Sequence, residues 1–151
     1  MFRVDNDKLV FHYDAEELWI EPWGENALRI RATKNNSMPN ENWSLMQTES
    51  LKAQITLEKD KATIRNGKIR AVISRFGKIM IYNQKDQLLL EEYSRNRRDI
   101  LDPKCSALEV EAREFKPIIG GDYHLTWRLE SVCGDEKIYG MGQYQQPYLD
   151  L

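Results

Sequence analysis

The sequence predicts an all-β protein, an antiparallel β-sandwich, and three observations carry that prediction. Apolar residues recur with a period of two rather than 3.6. The alternating runs are short. Turn dipeptides separate them: Asn66-Gly67, Phe76-Gly77 and Gly120-Gly121. Many short strands at such spacing argue for a sandwich or a barrel.

Taken in chain order, "KLVFHY" alternates Leu9, Phe11 and Tyr13 against Lys8, Val10 and His12, a strand over 8–13. "EELWIEPW" is apolar on both faces, with Leu18, Ile20 and Pro22 opposing Trp19 and Trp23. Those two indoles share one face, two strand steps apart. They form either a platform on which the C–H face of a sugar ring stacks, or the filling of a strand covered on both sides. Large aromatics are the usual filling of cores and domain interfaces, which favours the second. "ALRIRAT" predicts a strand over 27–33, and the aperiodic "KNNSMPNENWSLMQ" predicts a loop over 34–47.

In the second half "IRNGKIR" is a two-residue hairpin signal, because Asn and Gly tolerate the positive φ of a type I′ turn. Ile69, Ala71 and Ile73 then give a strand over 69–75, with Ile79 and Ile81 in the next. Leu108, Val110 and Ala112 alternate with Glu109, Glu111 and Arg113, giving a strand over 107–116. "IIGGDYH" is a second hairpin signal. "YHLTWRLE" is a half-buried strand over 123–130, with Tyr123, Leu125, Trp127 and Leu129 on its apolar face.

At 151 residues the chain suits one domain. It is 41% hydrophobic and 30% charged, so it can build a core. The 22 Lys and Arg are interspersed with 24 Asp and Glu, for a net charge of -2. That balance gives no electrostatic reason to expect nucleic acid or an anionic membrane as partner. Arg95, Arg97 and Arg98 form one short basic cluster, closed by Asp99 and read as a solvated loop. The N-terminus has no apolar signal-peptide region, and no apolar run approaches a membrane span. Cys105 and Cys133 make no metal-ligand spacing. With no secretory signal they read as reduced thiols of a cytoplasmic protein, a single disulfide being the alternative.

Catalytic signatures are lacking. His12 and His124 lie far apart on polar strand faces, and the acidic residues fall mostly on outward positions, where a solvated face is the default. No spacing picks out a carboxylate pair, a phosphate cradle, a metal site or a cofactor site.

The C-terminal "EKIYGMGQY" resembles the Y-G-[LM]-G-[EQ] motif of glycoside hydrolase family 31, the α-glucosidases and α-xylosidases. The motif residues are Tyr139, Gly140, Met141, Gly142 and Gln143. "GGDYHLTWRLES" is similar to the strand pair before the motif, and "NGKIRAVISRFGKIMIYNQKDQLLLEE" to the family's central hairpins. Gln143 stands where the commoner family form has Glu, which leaves α-glucoside and α-xyloside both open.

The resemblance implies that residues 1–151 are one incomplete N-terminal domain of galactose-mutarotase-like sandwich type. It further implies a catalytic (β/α)8 barrel on the same polypeptide, carrying the two carboxylates of a retaining mechanism. No residue of this chain matches their motifs, so the chain alone is expected to be inactive. Gln143, Tyr144, Gln145 and Gln146, where a loop toward the active site begins, are the candidates for proximity to an α-linked oligosaccharide. The missing barrel is the expected partner, and a chain without it is expected to self-associate. Two other readings of the residues stay open: an independent carbohydrate-binding module, and a sandwich that serves only as a protein-interaction surface.

Overall fold

A computed structural model describes residues 1–34, 38–39, 41–46, 48–49 and 52–132. Every regular element among them is a strand. Four strands, β1 (Phe2–Asp5), β2 (Lys8–Tyr13), β3 (Glu16–Trp23) and β4 (Ala27–Thr33), form an antiparallel meander in the order 1-2-3-4. The first two turns are two residues long, and their first positions, Asn6 and Asp14, have φ of 53° and 54°. Asn and Asp tolerate that conformation because their short polar side chains bond locally.

The second sheet holds β5 (Gln54–Leu57), β6 (Lys61–Asn66), β7 (Ile69–Ser74), β8 (Ile79–Tyr82), β9 (Leu88–Glu92) and the short β12 (Leu129–Glu130), in the order 12-9-8-7-6-5. The remaining strands, β10 (Arg113–Ile118) and β11 (Asp122–Trp127), pair with each other. The two larger sheets pack face to face, β2 and β3 on β6, and β4 on β7. Leu9, Phe11, Leu18 and Ile20 of the first meet Ala62, Ile64, Ala71, Ile73 and Ile79 of the second, all 2% exposed or less. Burying each of the larger of these side chains contributes about 1.5–3 kcal/mol. This is the all-β antiparallel sandwich that the period-two runs predict.

Four details differ from the sequence reading. The β6–β7 loop is Gly67-Lys68, not Asn66-Gly67, because Asn66 pairs with Ile69 as the last strand residue. Its side chain is a clamp between sheets, Nδ2 donating to the Gly24 and Ala27 carbonyls at 2.9 and 2.8 Å. Only Gly67 of the two has positive φ, at 55°, the pattern of a type II′ turn.

Second, the strand expected over 107–116 begins at Arg113. Residues 107–112 form no strand and touch the second sheet's approach through a single bridge, Val110 to Arg95. Third, the strand expected over 123–130 splits at Arg128. There the chain changes partner: Arg128 N donates to the Ala112 carbonyl at 2.7 Å, while its own carbonyl accepts from Tyr93 N at 3.0 Å. Fourth, the face expected to be half-buried is open, with Leu125, Trp127 and Leu129 at 46%, 43% and 46% exposure. The β10–β11 hairpin pairs with itself, and neither larger sheet covers that face among the described residues.

Candidate functional site

Three surfaces carry chemistry, and the first is the outer face of β3. Trp19 and Trp23 project there, half-buried, while Leu18, Ile20 and Pro22 face the core. Register places Val10, Trp19 and Arg31 side by side across three strands. Lys8 Nζ lies 3.5 Å from the Trp19 ring centre and the Arg31 guanidinium 4.9 Å, and Trp23 carries Arg29 at 5.0 Å. Arg31 is held by a two-pronged pair with Glu21 at 2.9 Å and donates to the Pro39 carbonyl. Cation–π contact thus places the protein's own charges on the indole faces.

The second is a buried charge cluster that joins all three β-layers. Glu92, 1% exposed at the end of β9, accepts from Ile79 N at 2.8 Å and from the Trp127 indole at 2.6 Å. The Arg113 guanidinium donates to the same Glu92 oxygen as Trp127, and also to Glu16 of β3 and to the Gly77 carbonyl. Gly77 has φ of 89°, and a Cβ there would press into the Phe11 ring. Only glycine lets the turn come this close to both Phe11 and Arg113. Burial pushes the Glu92 carboxyl above the usual carboxylate range, opposed by Arg113 and the N–H donors. Ile79 N–H, the Trp127 indole and Arg113 all donate to it, which is the geometry of the ionised form. Burial works against the Arg113 charge too, and Glu92 and Glu16 more than offset it.

The third lies on the outer face of the second sheet, under residues 94–105. Lys78, 5% exposed, pairs with Glu91 at 3.1 Å and Asp102 at 2.9 Å. Lys104 pairs with Glu91 and with Glu130, which also takes both prongs of Arg95 at 3.3 Å. Burial works upward on the Glu130 carboxyl, but the hydrogen bonds from Arg95 and Lys104 leave it below its ordinary value. Beside this network is a cleft of about 430 Å³ floored by Val72, Met80 and Tyr82. Asp99, 6% exposed, lines it. Burial and the nearby Asp102 raise the Asp99 carboxyl above its usual range.

These arrangements correct two expectations. Arg95 is not part of a solvated loop but is clamped on Glu130; Arg97 and Arg98 are exposed as expected. Arg113 is not on an outward polar face but buried, and so are Glu91, Glu92 and Asp99 among the acids expected to be solvated. His12 and His124 are exposed. Cys105 is a free, exposed thiol. The family motif Tyr139, Gly140, Met141, Gly142 and Gln143, the loop candidates Tyr144, Gln145 and Gln146, and Cys133 lie outside the described residues. Among the described residues no group of three His, Cys, Asp or Glu is arranged to hold a metal, and no helix is long and apolar enough to cross a membrane.

No protein-family model matches the chain. A curated relative, an uncharacterized family 31 glucosidase from Pseudescherichia vulneris, is 44% identical over an alignment of 149 residues that covers 93% of this chain and 28% of that protein. Among solved structures, a family 31 α-xylosidase from a soil metagenome, crystallised with xylose, matches at TM-score 0.89 and 46% identity, over 99% of this chain and 23% of that one. A second family 31 α-xylosidase, from Xanthomonas citri, matches at TM-score 0.67 over 98% of this chain and 15% of that one; at 19% identity it shows the fold alone. The chain therefore spans less than a third of each relative.

Proposed function

The chain carries the sequence and fold of a segment of glycoside hydrolase family 31, and from that premise we propose that it is the non-catalytic N-terminal β-sandwich domain of a retaining α-glycosidase. In this reading it supports a catalytic (β/α)8 barrel of the same polypeptide and supplies, from Gln143 onward, the start of a loop toward the active site. The observation that carries the proposal is the match at 46% identity and TM-score 0.89 to under a quarter of an α-xylosidase chain. Because that relative is an α-xylosidase crystallised with xylose, an α-xyloside is the first substrate to test and an α-glucoside the second.

The open apolar face supports the same reading. Ile100, Leu108, Ile119, Leu125 and Trp127 are 82%, 76%, 105%, 46% and 43% exposed. Large apolar side chains left this open on the hairpin and beside it suit a surface that another part of the polypeptide covers. The rest of the polypeptide is its occupant in this proposal, and a chain deprived of it associates with itself instead.

The test compares the whole polypeptide with the 151-residue chain on nitrophenyl α-xyloside and α-glucoside. The whole polypeptide releases nitrophenol with retention of anomeric configuration, and the chain alone releases none. Turnover by the purified chain, or none by the whole polypeptide, overturns the proposal. A second reading, an independent sugar-binding module on the two indoles of β3, needs a sugar to displace Lys8, Arg31 and Arg29 from their faces. It requires Trp19→Ala and Trp23→Ala each to abolish oligosaccharide binding by the chain.

A further inference from the structure

We propose that the cleft over the second sheet is a binding site for a neutral polyhydroxylated ring, a pyranose. It lies between the outer face of β7 and β8 and the turn 99–104. At about 430 Å³ it is in the size range of small-molecule sites.

Its chemistry is two-sided. Val72, Met80 and Tyr82 give a floor of apolar atoms, and Leu101 and Pro103 give an apolar lip. Around these stand charged groups of both signs, Asp60, Lys61, Lys78 and Asp102 among them. Acids and bases nearly balance, so neither an anion nor a cation is selected by field. Most of the charges are already spent on one another: Lys78 on Glu91 and Asp102, and Asp60 on Arg75.

Asp99 is the exception. The residue is 6% exposed, and among the described residues the hydrogen bond to its carboxylate is a single long one, donated by Ser74 Oγ at 3.4 Å. A carboxylate offers about four acceptor positions. With one long donor, most of those positions are free for the O–H groups of a ligand, and hydrogen bonds to a charged acceptor are the strong ones. A sugar ring fits both requirements, its C–H face on the apolar floor and its hydroxyls on Asp99.

The cleft itself selects a neutral polyol; only the choice of xylose as first probe rests on the proposed function. The experiment is a titration of the ¹⁵N-labelled chain with xylose, then glucose, with glycerol as control. Saturable shifts at Val72, Met80, Tyr82 and residues 99–104 are expected, with Kd of about 1 mM. Asp99→Asn weakens binding about tenfold, as loss of a charge-assisted hydrogen bond requires. Leu101→Ala, which trims an exposed side chain that folding does not need, weakens it as well. Trp19→Ala leaves it unchanged.

The absence of saturable shifts in the cleft, an equal response to glycerol, or Asp99→Asn and Leu101→Ala variants that both bind like the parent would overturn the inference. Sugar binding here by a chain whose whole polypeptide hydrolyses nothing keeps this inference and removes the proposed function. Hydrolysis without binding here does the reverse.

Discussion

The sandwich of β2 to β9 and the hairpin of β10 and β11 are both antiparallel and both alternate in sequence, yet different forces hold them. The sandwich closes on aliphatic and aromatic side chains that are 2% exposed or less, from Leu9 and Phe11 to Ile73 and Ile79. The hairpin leaves Leu125 and Trp127 nearly half exposed and is fastened at its base by Arg113 and the Trp127 indole on Glu92. Alternation therefore marks a strand with one apolar face without saying what covers it. In the sandwich the cover is the other sheet. On the hairpin the described residues provide none, and the proposed cover is the rest of the polypeptide.

The largest effect expected from breaking this contrast is in the core. Phe11→Ala removes a fully buried ring and costs about 3–5 kcal/mol in denaturant unfolding, lowering the stability of the whole chain. Ile119→Ala at the hairpin tip, fully exposed, stays within about 0.5 kcal/mol. Equal losses for the two would erase the distinction between the regions.

Next is the fastening. Arg113→Ala strands the Glu92 carboxylate in the interior, for which a cost of about 3 kcal/mol is expected. Its signature differs from that of Phe11→Ala. Trp127 loses a fixed acceptor geometry, so its indole N–H resonance shifts or broadens while β6 and β7 keep their native amide shifts. The paired replacement Arg113→Met with Glu92→Leu recovers part of the stability, because it removes both buried charges while Ile79 N–H, the Trp127 indole and Glu16 lose their partner. A double variant no better than Arg113→Ala counts against the ion cluster as the cause.

The smallest effect is in pH dependence, and two carboxyls of the second sheet, Glu130 of β12 and Glu92 of β9, carry opposite signs. The folded-state value of Glu130 lies below its ordinary 4.5, so its contribution is present above 4.5 and lost as pH falls through the folded value. The folded-state value of Glu92 lies above 4.5, so its contribution is full below 4.5 and fades as pH rises through the folded value. Glu130→Gln should flatten the acid side of the stability curve, and Glu92→Gln the side toward neutrality. Unfolding midpoints of the three proteins between about pH 3 and 7 read this directly; parallel curves for parent and variants would refute both assignments.

The sandwich was legible because a covered face writes itself into the sequence with period two: 8–13, 27–33 and 69–74 are found where the alternation puts them. The ends of strands were less legible. Asn66 reads as a turn residue by its tolerance of positive φ, but it is spent on bonding Gly24 and Ala27 across the sandwich, a partner 39 or more residues away that no local pattern records. Leu125 to Leu129 keep their period across Arg128, although the chain changes hydrogen-bond partner there.

The buried charges were hidden for a related reason. Glu91 and Glu92 are adjacent after three leucines in one strand, so they must project to opposite faces. That was the available signal that one of the pair faces inward. Arg113 gave no such signal, since its partners Glu16, Gly77 and Glu92 come from three distant segments. The family resemblance rests partly on Tyr139 to Gln143, outside the described residues, yet the match extends over 99% of the chain.

Hydrogen exchange, followed by mass spectrometry on the 151-residue chain and on the whole polypeptide, tests most directly the claim that the sandwich is self-sufficient and the hairpin is built to be covered. In the chain alone, amides of β2, β3, β6 and β7 should exchange only by global unfolding, and those of β10 and β11 much sooner, by local opening. In the whole polypeptide the hairpin amides should slow toward the sandwich values while the sandwich amides change little. Hairpin amides equally protected in both proteins, or a sandwich that gains protection only in the whole polypeptide, would contradict the account.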